Sequence, residues 1–577
     1  MTEQTMISPP RQTPPTPPPP EKSGGGNKML LIGGLAAVAL LIVVIIAAVL
    51  IVPRLLGGGG DSLADIMPPD TTILVELNAA NLLNDNTNRI ASEFEDAFDA
   101  ADVEFDGDEP ESLLETLDEA LDDELGLTVT DDILPWLGTN IALGILELDI
   151  DDLNDGETPK IIIAATVRDN DAADSFIEDL VDAYEDELDY EFDDDDYEGA
   201  VIYVDEDNEM AFGRSDNIFF LAPTQDTIEE AIDSQNGENL TDNETYSDFA
   251  GNLPGDRALT VYIDGSQLED LYTLGAETDP TFNDIDPDLI EDLDLLAMAM
   301  TASIVEEGIR IDTILQVEEY SDEQQELIDA QSDDSKTVEL LPESTYMYIV
   351  ANRLDLYLES VLDSLDTAGM PSDDIEEAMD EFDDLFGFNP MDDLMPLLDG
   401  EFNIALVEGD EGLIAEEFGA DLGVIGILGS SDMDEMGGLV EDFTDALDDQ
   451  GLDVSDSEED DFILYEVEFD GDTAGAYASS DDYLLMSTSG GLIEDLFDND
   501  DKLTDNDFYQ FAIGSLPNNS IPVVFVNVVE LLSLAEDTDP SVEEVSDVNP
   551  ITAVVVGANA DDNVTTTSIV LVVGDGE

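Results

Sequence analysis

A chain of 577 residues that sets 145 Asp and Glu against 13 Lys and Arg, with no His and no Cys, carries a formal net charge of -132 at pH 7. It repels the phosphates that nucleic-acid readers hold with Lys and Arg, and it lacks the commonest general base, the commonest transition-metal ligands and the thiol nucleophile. With 43% hydrophobic residues it still has the apolar surface for folded units, about two to four of them at this length.

The chain opens on a proline-rich stretch, Pro9 to Pro20, and residues 1–28 read as a disordered tail of polyproline character. Met29 to Val52 follow without one charge. At about 1.5 Å per residue that run crosses a hydrocarbon core of about 30 Å, so a single transmembrane helix is expected over 29–52. A cleaved signal would have an apolar stretch of only about 7–15 residues, and this one ends Ile51-Val52-Pro53-Arg54. Lys22 and Lys28 before the span against Arg54 behind it place the tail in the cytoplasm and the rest outside. Residues 53–60, with Gly57 to Gly60, form a flexible linker. The expected membrane partner is therefore engaged through the N-terminal helix.

Beyond the linker, one unit is written twice. Met67-Pro68-Pro69-Asp70-Thr71-Thr72 leads into Ile73–Leu77, as Leu341-Pro342-Glu343-Ser344-Thr345 leads into Tyr346–Val350. Gly126 to Leu137, with Asp131-Asp132 and Leu134-Pro135-Trp136, matches Gly387 to Leu398, with Asp392-Asp393 and Met395-Pro396-Leu397; strands from Asn140-Ile141-Ala142-Leu143 and Asn403-Ile404-Ala405-Leu406 follow. A strand and helix, Ile161–Val167 with Asp171–Glu187, correspond to Gly423–Leu428 with Asp432–Asp448. On the first helix Ala173, Phe176, Ile177, Leu180, Val181 and Tyr184 share one face, and Asp174, Glu178, Asp179, Asp182 and Glu185 the other. A three-strand meander, a Leu-Pro turn (Leu253-Pro254, Leu516-Pro517) and a closing hairpin (Leu296–Val305 with Ile309–Val317, Ile551–Ala558 with Thr565–Val573) recur in order.

The expected fold class is therefore α+β: an N-terminal single transmembrane helix followed by two tandem repeated α+β domains with largely antiparallel sheets. The units span 61–320 and 340–577, joined by an acidic, polar linker, 321–339. The opening Met67–Asn78, the segment Asp131–Ile145 and the strand-helix Ile161–Leu180, behind an apolar span and a glycine linker, resemble the bacterial family known as domain of unknown function 3352. That resemblance implies a membrane-anchored bacterial protein of unknown activity and supplies no functional residues.

No catalytic, cofactor-binding or metal-ligating residue is assigned from the sequence, and no cofactor is expected. Carboxylates that could serve a glycosidase or aspartic protease are everywhere, so abundance removes the signal. Asp366-Thr367-Ala368-Gly369 and Asp472-Thr473-Ala474-Gly475 depart from an Asp-Thr-Gly motif by the inserted Ala and sit at non-equivalent places. The single Trp136 reads as core. Asp193 to Asp196 and Glu458 to Asp461 read as equivalent acidic loops between helix and strand; oxygen ligands suit Ca²⁺, but the spacing of a full calcium loop is missing, which leaves diffuse cation binding. Four Asn-x-Ser/Thr patterns occur at Asn239, Asn243, Asn518 and Asn563. The expected function is a non-enzymatic, extracytoplasmic binding or structural module at the cell surface. The alternative is a cell-envelope hydrolase acting through paired carboxylates; a sensor relaying through the short cytoplasmic tail is a third reading.

Self-repulsion at this charge opposes compaction, and the screening length falls from about 10 Å at 0.1 M salt to about 3 Å at 1 M. The thermal midpoint of the fragment from Asp61 onward should rise between low and molar salt; an unchanged midpoint in a calorimetric scan contradicts this account of the acidity.

Overall fold

The computed structural model describes residues 62–574 apart from internal stretches, the longest being 94–117, 148–159, 269–294 and 359–378; the proline-rich tail, the apolar span 29–52 and the glycine linker lie outside the described residues. Among the described residues no helix is long and apolar enough to cross a membrane.

Helices and strands mix along the chain, and the strands form a large antiparallel sheet. In chain order they are β1 (Ile73–Asn78), β2 (Leu137–Glu147), β3 (Lys160–Val167), β4 (Asp193–Tyr197), β5 (Ala200–Asp205), β6 (Met210–Ser215), β7 (Ile218–Ala222), β8 (Arg257–Asp264), β9 (Leu295–Ile304) and β10 (Gly308–Val317). Then come β11 (Thr345–Asn352), β12 (Glu401–Val407), β13 (Gly423–Gly429), β14 (Asp453–Glu458), β15 (Phe462–Phe469), β16 (Asp472–Ser480), β17 (Tyr483–Ser487), β18 (Ile521–Asn527), β19 (Ile551–Asp561) and β20 (Val564–Val573).

Pairing runs β4-β5-β6-β7-β3-β2-β1-β8-β9-β10 and continues β20-β19-β18-β11-β12-β13-β17-β16-β15-β14, antiparallel throughout. The order is a palindrome: each strand of the first ten stands where its counterpart ten places on stands in the second. The two arrays meet at β10 and β20, and Ile311 faces Ile569 at the midpoint. Long-range closure of β1 on β8 and of β11 on β18 brings apolar β-branched strands together, the kind that fit a pleated, half-buried surface.

One face of the sheet is buried under helices. In the first array Ile228, Ala231 and Ile232 of the helix Gln225–Asn236, and Tyr246 and Phe249 of the helix Glu244–Ala250, pack on Leu74, Ala142, Ile162 and Tyr262. In the second, the helices Gly490–Asp498 and Asp507–Gly514 put Leu492, Ile493, Leu496, Tyr509 and Ala512 on Tyr348, Ala405, Ile425 and Phe525. A tetrapeptide repeated verbatim sets this packing: Leu240-Thr241-Asp242-Asn243 and Leu503-Thr504-Asp505-Asn506. The Leu240 amide donates to the Met67 carbonyl and the Leu503 amide to the Leu341 carbonyl, both at 2.9 Å. Asn243 then accepts from the Tyr246 amide, and Asn506 from the Tyr509 amide, capping the following helix. The capped tyrosines meet ring edges of the sheet in near-perpendicular pairs, Tyr246 with Tyr262 at 4.9 Å and Tyr509 with Phe525 at 5.0 Å. Burial pushes the Tyr246 hydroxyl up to about 12.

The opposite face carries one helix at each flank. Ala173, Phe176 and Ile177 of the helix Asn170–Leu188 pack on Trp136, Ala165 and Phe219, while Asp174, Glu178 and Asp182 point to solvent as the spacing predicts. Met436, Val440 and Leu447 of the helix Met433–Asp449 pack on Leu428, Tyr477 and Leu484. A wide helical turn precedes β2 and another β12: the Thr128 amide donates to Asp132 at 2.6 Å and the Asn389 amide to Asp393 at 2.7 Å.

The junction is polar on its buried side. Asp312 is 0% exposed. It accepts from Arg310 Nε at 2.9 Å and, across the ladder, from Ser568 Oγ at 2.6 Å. Arg310 Nη2 also donates to Asp256 at 2.8 Å. At the strand ends Arg89 donates to the Val573 and Glu306 carbonyls at 2.8 and 2.6 Å, joining the arrays a second time.

Two sequence expectations change. The polar stretch 321–339 is no plain linker: Ser321 and Gln324 form a reciprocal capping box for a helix, Asp322–Ala330, and Thr337 is fully buried, donating to Glu401. Asp193 to Asp196 form no loop but lie in β4, an exposed strand paired with β5; the place equivalent to it is β14, Asp453–Glu458, with Glu459 directly after it, while Asp460 and Asp461 lie outside the described residues. Both outer strands of the sheet are thus acidic. Charge on an open edge blocks pairing with another chain, which explains four aspartates where propensity disfavours a strand.

Removing one partner of a buried ion pair typically costs about 3–5 kcal/mol, whereas replacing both by apolar groups is often close to neutral. Arg310→Met should lose stability in that range by urea unfolding, and Arg310→Met with Asp312→Leu should recover most of it; equal losses in both contradict the assignment. Asp194→Val with Asp196→Val should produce concentration-dependent light scattering at molar salt, and a monodisperse variant contradicts the protective role of β4.

Candidate functional site

Between the flank helices lies the centre of their face, where the short helix Ala79–Leu82 packs beside β2, β8 and β9 with Leu77, Ile141 and Leu259, and its composition departs from the rest of the chain. The middle row of ladder partners reads Ile141, Leu77, Leu259, Ala302, Ile311, Ile569, Val556, Val524, Ile349, Ile404. On one side lies Leu143, Val75, Val261, Met300, Thr313, Thr567 and Ala558; on the other Ile304, Ile309, Leu571, Val554, Val526, Met347 and Leu406. Not one of these positions carries a charge, in a chain where 27% of residues do. The side rows are images of each other about the Ile311 and Ile569 pair. At about 4.8 Å per strand the middle row extends about 43 Å and each side row about 29 Å.

Exposure makes this surface more than an interior. Met300 is 51% exposed, Ile349 and Ile404 41% each and Ile569 37%. Scattered exposed aliphatic residues are ordinary, but contiguous ones mark an interaction surface. Period-2 alternation alone could not single it out, because the buried face of strands such as β11, β18 and β19 is largely apolar too.

A second feature lies at the junction. The helix Asp322–Ala330 and the ends of β18, β19 and β20 line an open groove of about 1050 Å³. Its lining includes Glu318, Glu319, Asp329 and Asp561, all exposed, beside Tyr320 and Ile521.

The sequence motifs are placed as follows. Trp136 is 3% exposed, with its ring 5.1 Å from that of Phe176 and 5.2 Å from that of Phe219, both tilted, and its counterpart Leu397 is buried as well, so both serve the core. Asp472 to Gly475 run along β16, and Asp366 to Gly369 lie outside the described residues. Among the described residues no group of three or more acidic side chains converges as a metal site would require. Of the Asn-x-Ser/Thr patterns, Asn239 and Asn243 are helix caps and Asn563 donates to the Val317 carbonyl at 2.6 Å. What sequence reading missed was the Leu-Thr-Asp-Asn repeat, visible as a verbatim tetrapeptide, and the junction, whose partners lie 256 positions apart at Asp312 and Ser568.

The family described as "Protein of unknown function (DUF3352)" matches residues 109–572. No curated protein matches the chain. Crystal structures of TP0453 in forms I, III and IV are similar at 8%, 8% and 9% identity, over 46%, 47% and 44% of this chain and 81%, 86% and 80% of theirs. Their TM-scores of 0.23, 0.24 and 0.23 carry no argument about fold or function.

Proposed function

The chain belongs to this family of unknown function, DUF3352, and we propose that it is a single-pass, membrane-anchored exterior protein that binds or spaces a partner and carries out no reaction. The uncharged aliphatic centre of the sheet carries this reading. Aliphatic groups left in water at Met300, Ile349, Ile404 and Ile569 are favourable only when something covers them, at about 25 cal/mol per Å² removed from solvent. Anchoring rests on the apolar run 29–52 and on Lys22 and Lys28 before it. The palindromic strand order supports the finer reading of two tandem α+β domains, fused by β10 and β20 into one array. An envelope hydrolase would need two carboxyls in one cleft with one of them sheltered in an apolar pocket; the groove at the junction collects four, and all are exposed.

Photo-crosslinking in cells that express the full chain tests this. A photoactivatable residue at Met300, Ile349 or Ile569 should trap one common partner, and one at Ser175, on the solvent side of a flank helix, should not. Equal trapping at all four sites, or none, overturns the assignment of this face.

A further inference from the structure

The two halves put the same Leu-Pro turn to different uses. In the first, Leu253-Pro254-Gly255-Asp256 ends in the carboxylate that accepts from Arg310 Nη2 at 2.8 Å. In the second, Leu516-Pro517-Asn518-Asn519 has no such duty. Asn518 and Asn519 are exposed, and the Asn518 side chain has no hydrogen-bond partner among the described residues. The turn is closed by the Ser520 amide, which donates to the Pro517 carbonyl at 3.1 Å, with Asn519 at φ 72° in the left-handed position that a type II turn requires. Asn518, Asn519 and Ser520 make an Asn-x-Ser acceptor pattern for an N-linked sugar, and the place such an acceptor needs is a surface turn.

The other three patterns lack that freedom. The Asn243 side-chain amide donates to the Pro69 carbonyl at 3.0 Å and that of Asn563 to the Val317 carbonyl at 2.6 Å, so the nitrogen that a sugar would take is already tied into the fold. Asn239 is half-buried, its Oδ1 held by the Thr241 amide and hydroxyl at 2.9 and 2.6 Å.

We propose that Asn518 is an N-glycosylation site, loaded by a membrane transferase from a lipid-linked oligosaccharide. Asn518 Nδ2 attacks the anomeric carbon of the carried sugar: a C–N bond forms, the bond from that carbon to the pyrophosphate oxygen breaks, and the Nδ2 proton leaves with the lipid pyrophosphate. This rests on the exterior placement of the folded part, and the experiment reads that placement separately. In full chain isolated from the organism that encodes it, peptide mass spectrometry should find the Asn518 peptide heavier by a series of sugar residues, and the peptides bearing Asn239, Asn243 and Asn563 at their unmodified mass. Asn518→Gln should lose the added mass, and so should Ser520→Ala, which keeps the asparagine; Ser520→Thr should retain it. Circular dichroism checks that each variant stays folded. For placement, Ser175→Cys gives a chain without cysteine a single exposed thiol, which a membrane-impermeant maleimide should label on intact cells. Labelling with Asn518 unmodified overturns the site and leaves the exterior reading standing; no labelling with Asn518 unmodified overturns both. Added mass that survives Asn518→Gln, or that Ser520→Ala leaves in place, also overturns the site.

Discussion

The architecture depends on the pairing of β10 with β20. Each ten-strand array would otherwise end in an open row of backbone donors and acceptors on a long strand with one uncharged face, the kind of edge that recruits other chains. Joining the two edges removes both at once and leaves β4 and β14, where aspartates do the blocking. Register at the joint is enforced from the buried side: a ladder shifted by one residue would turn Asp312 out of reach of Ser568 Oγ. Arg89 adds a second tie through two backbone carbonyls. In a chain with only 13 basic side chains, one is placed inside this junction and another across its end.

Charge is segregated by surface rather than spread evenly. The solvent sides of the flank helices and the outer strands take acidic residues, and the central rows of one sheet face take none. Acidity keeps such a protein apart from its own copies and from anionic surfaces, so an uncharged patch becomes the place where contact is least opposed. The buried face, by contrast, tolerates Arg310 and Asp312 because each satisfies the other.

Much of this was legible in the sequence where the signal was local. The amphipathic spacing of Ala173, Phe176 and Ile177, the paired Leu-Pro turns and the two closing hairpins lie where periodicity and repetition place them. The strands β4 and β14 were not legible, because Asp-rich segments lack strand propensity and owe their conformation to one neighbour each. Nor was the merging of the arrays, since β10 and β20 meet across more than two hundred residues and a sequence shows which strands pair only when a short turn joins them. The apolar face was hidden for a related reason: strands such as β18 and β19, apolar on both faces, give no alternation to separate the covered side from the open one.

The absence of cysteine allows the joint to be tested directly. Ile311 and Ile569 face each other, and directly opposed residues of an antiparallel pair have Cβ atoms about 4.5–5.5 Å apart, near enough for a disulfide after small adjustment. Ile311→Cys with Ile569→Cys in the full chain should oxidise to an intramolecular bond in monomeric protein, and Ile309→Cys with Ile569→Cys, one pleat out of register, should form it poorly. Failure of the first pair to close, or closure only between chains, would contradict a single sheet joined through β10 and β20.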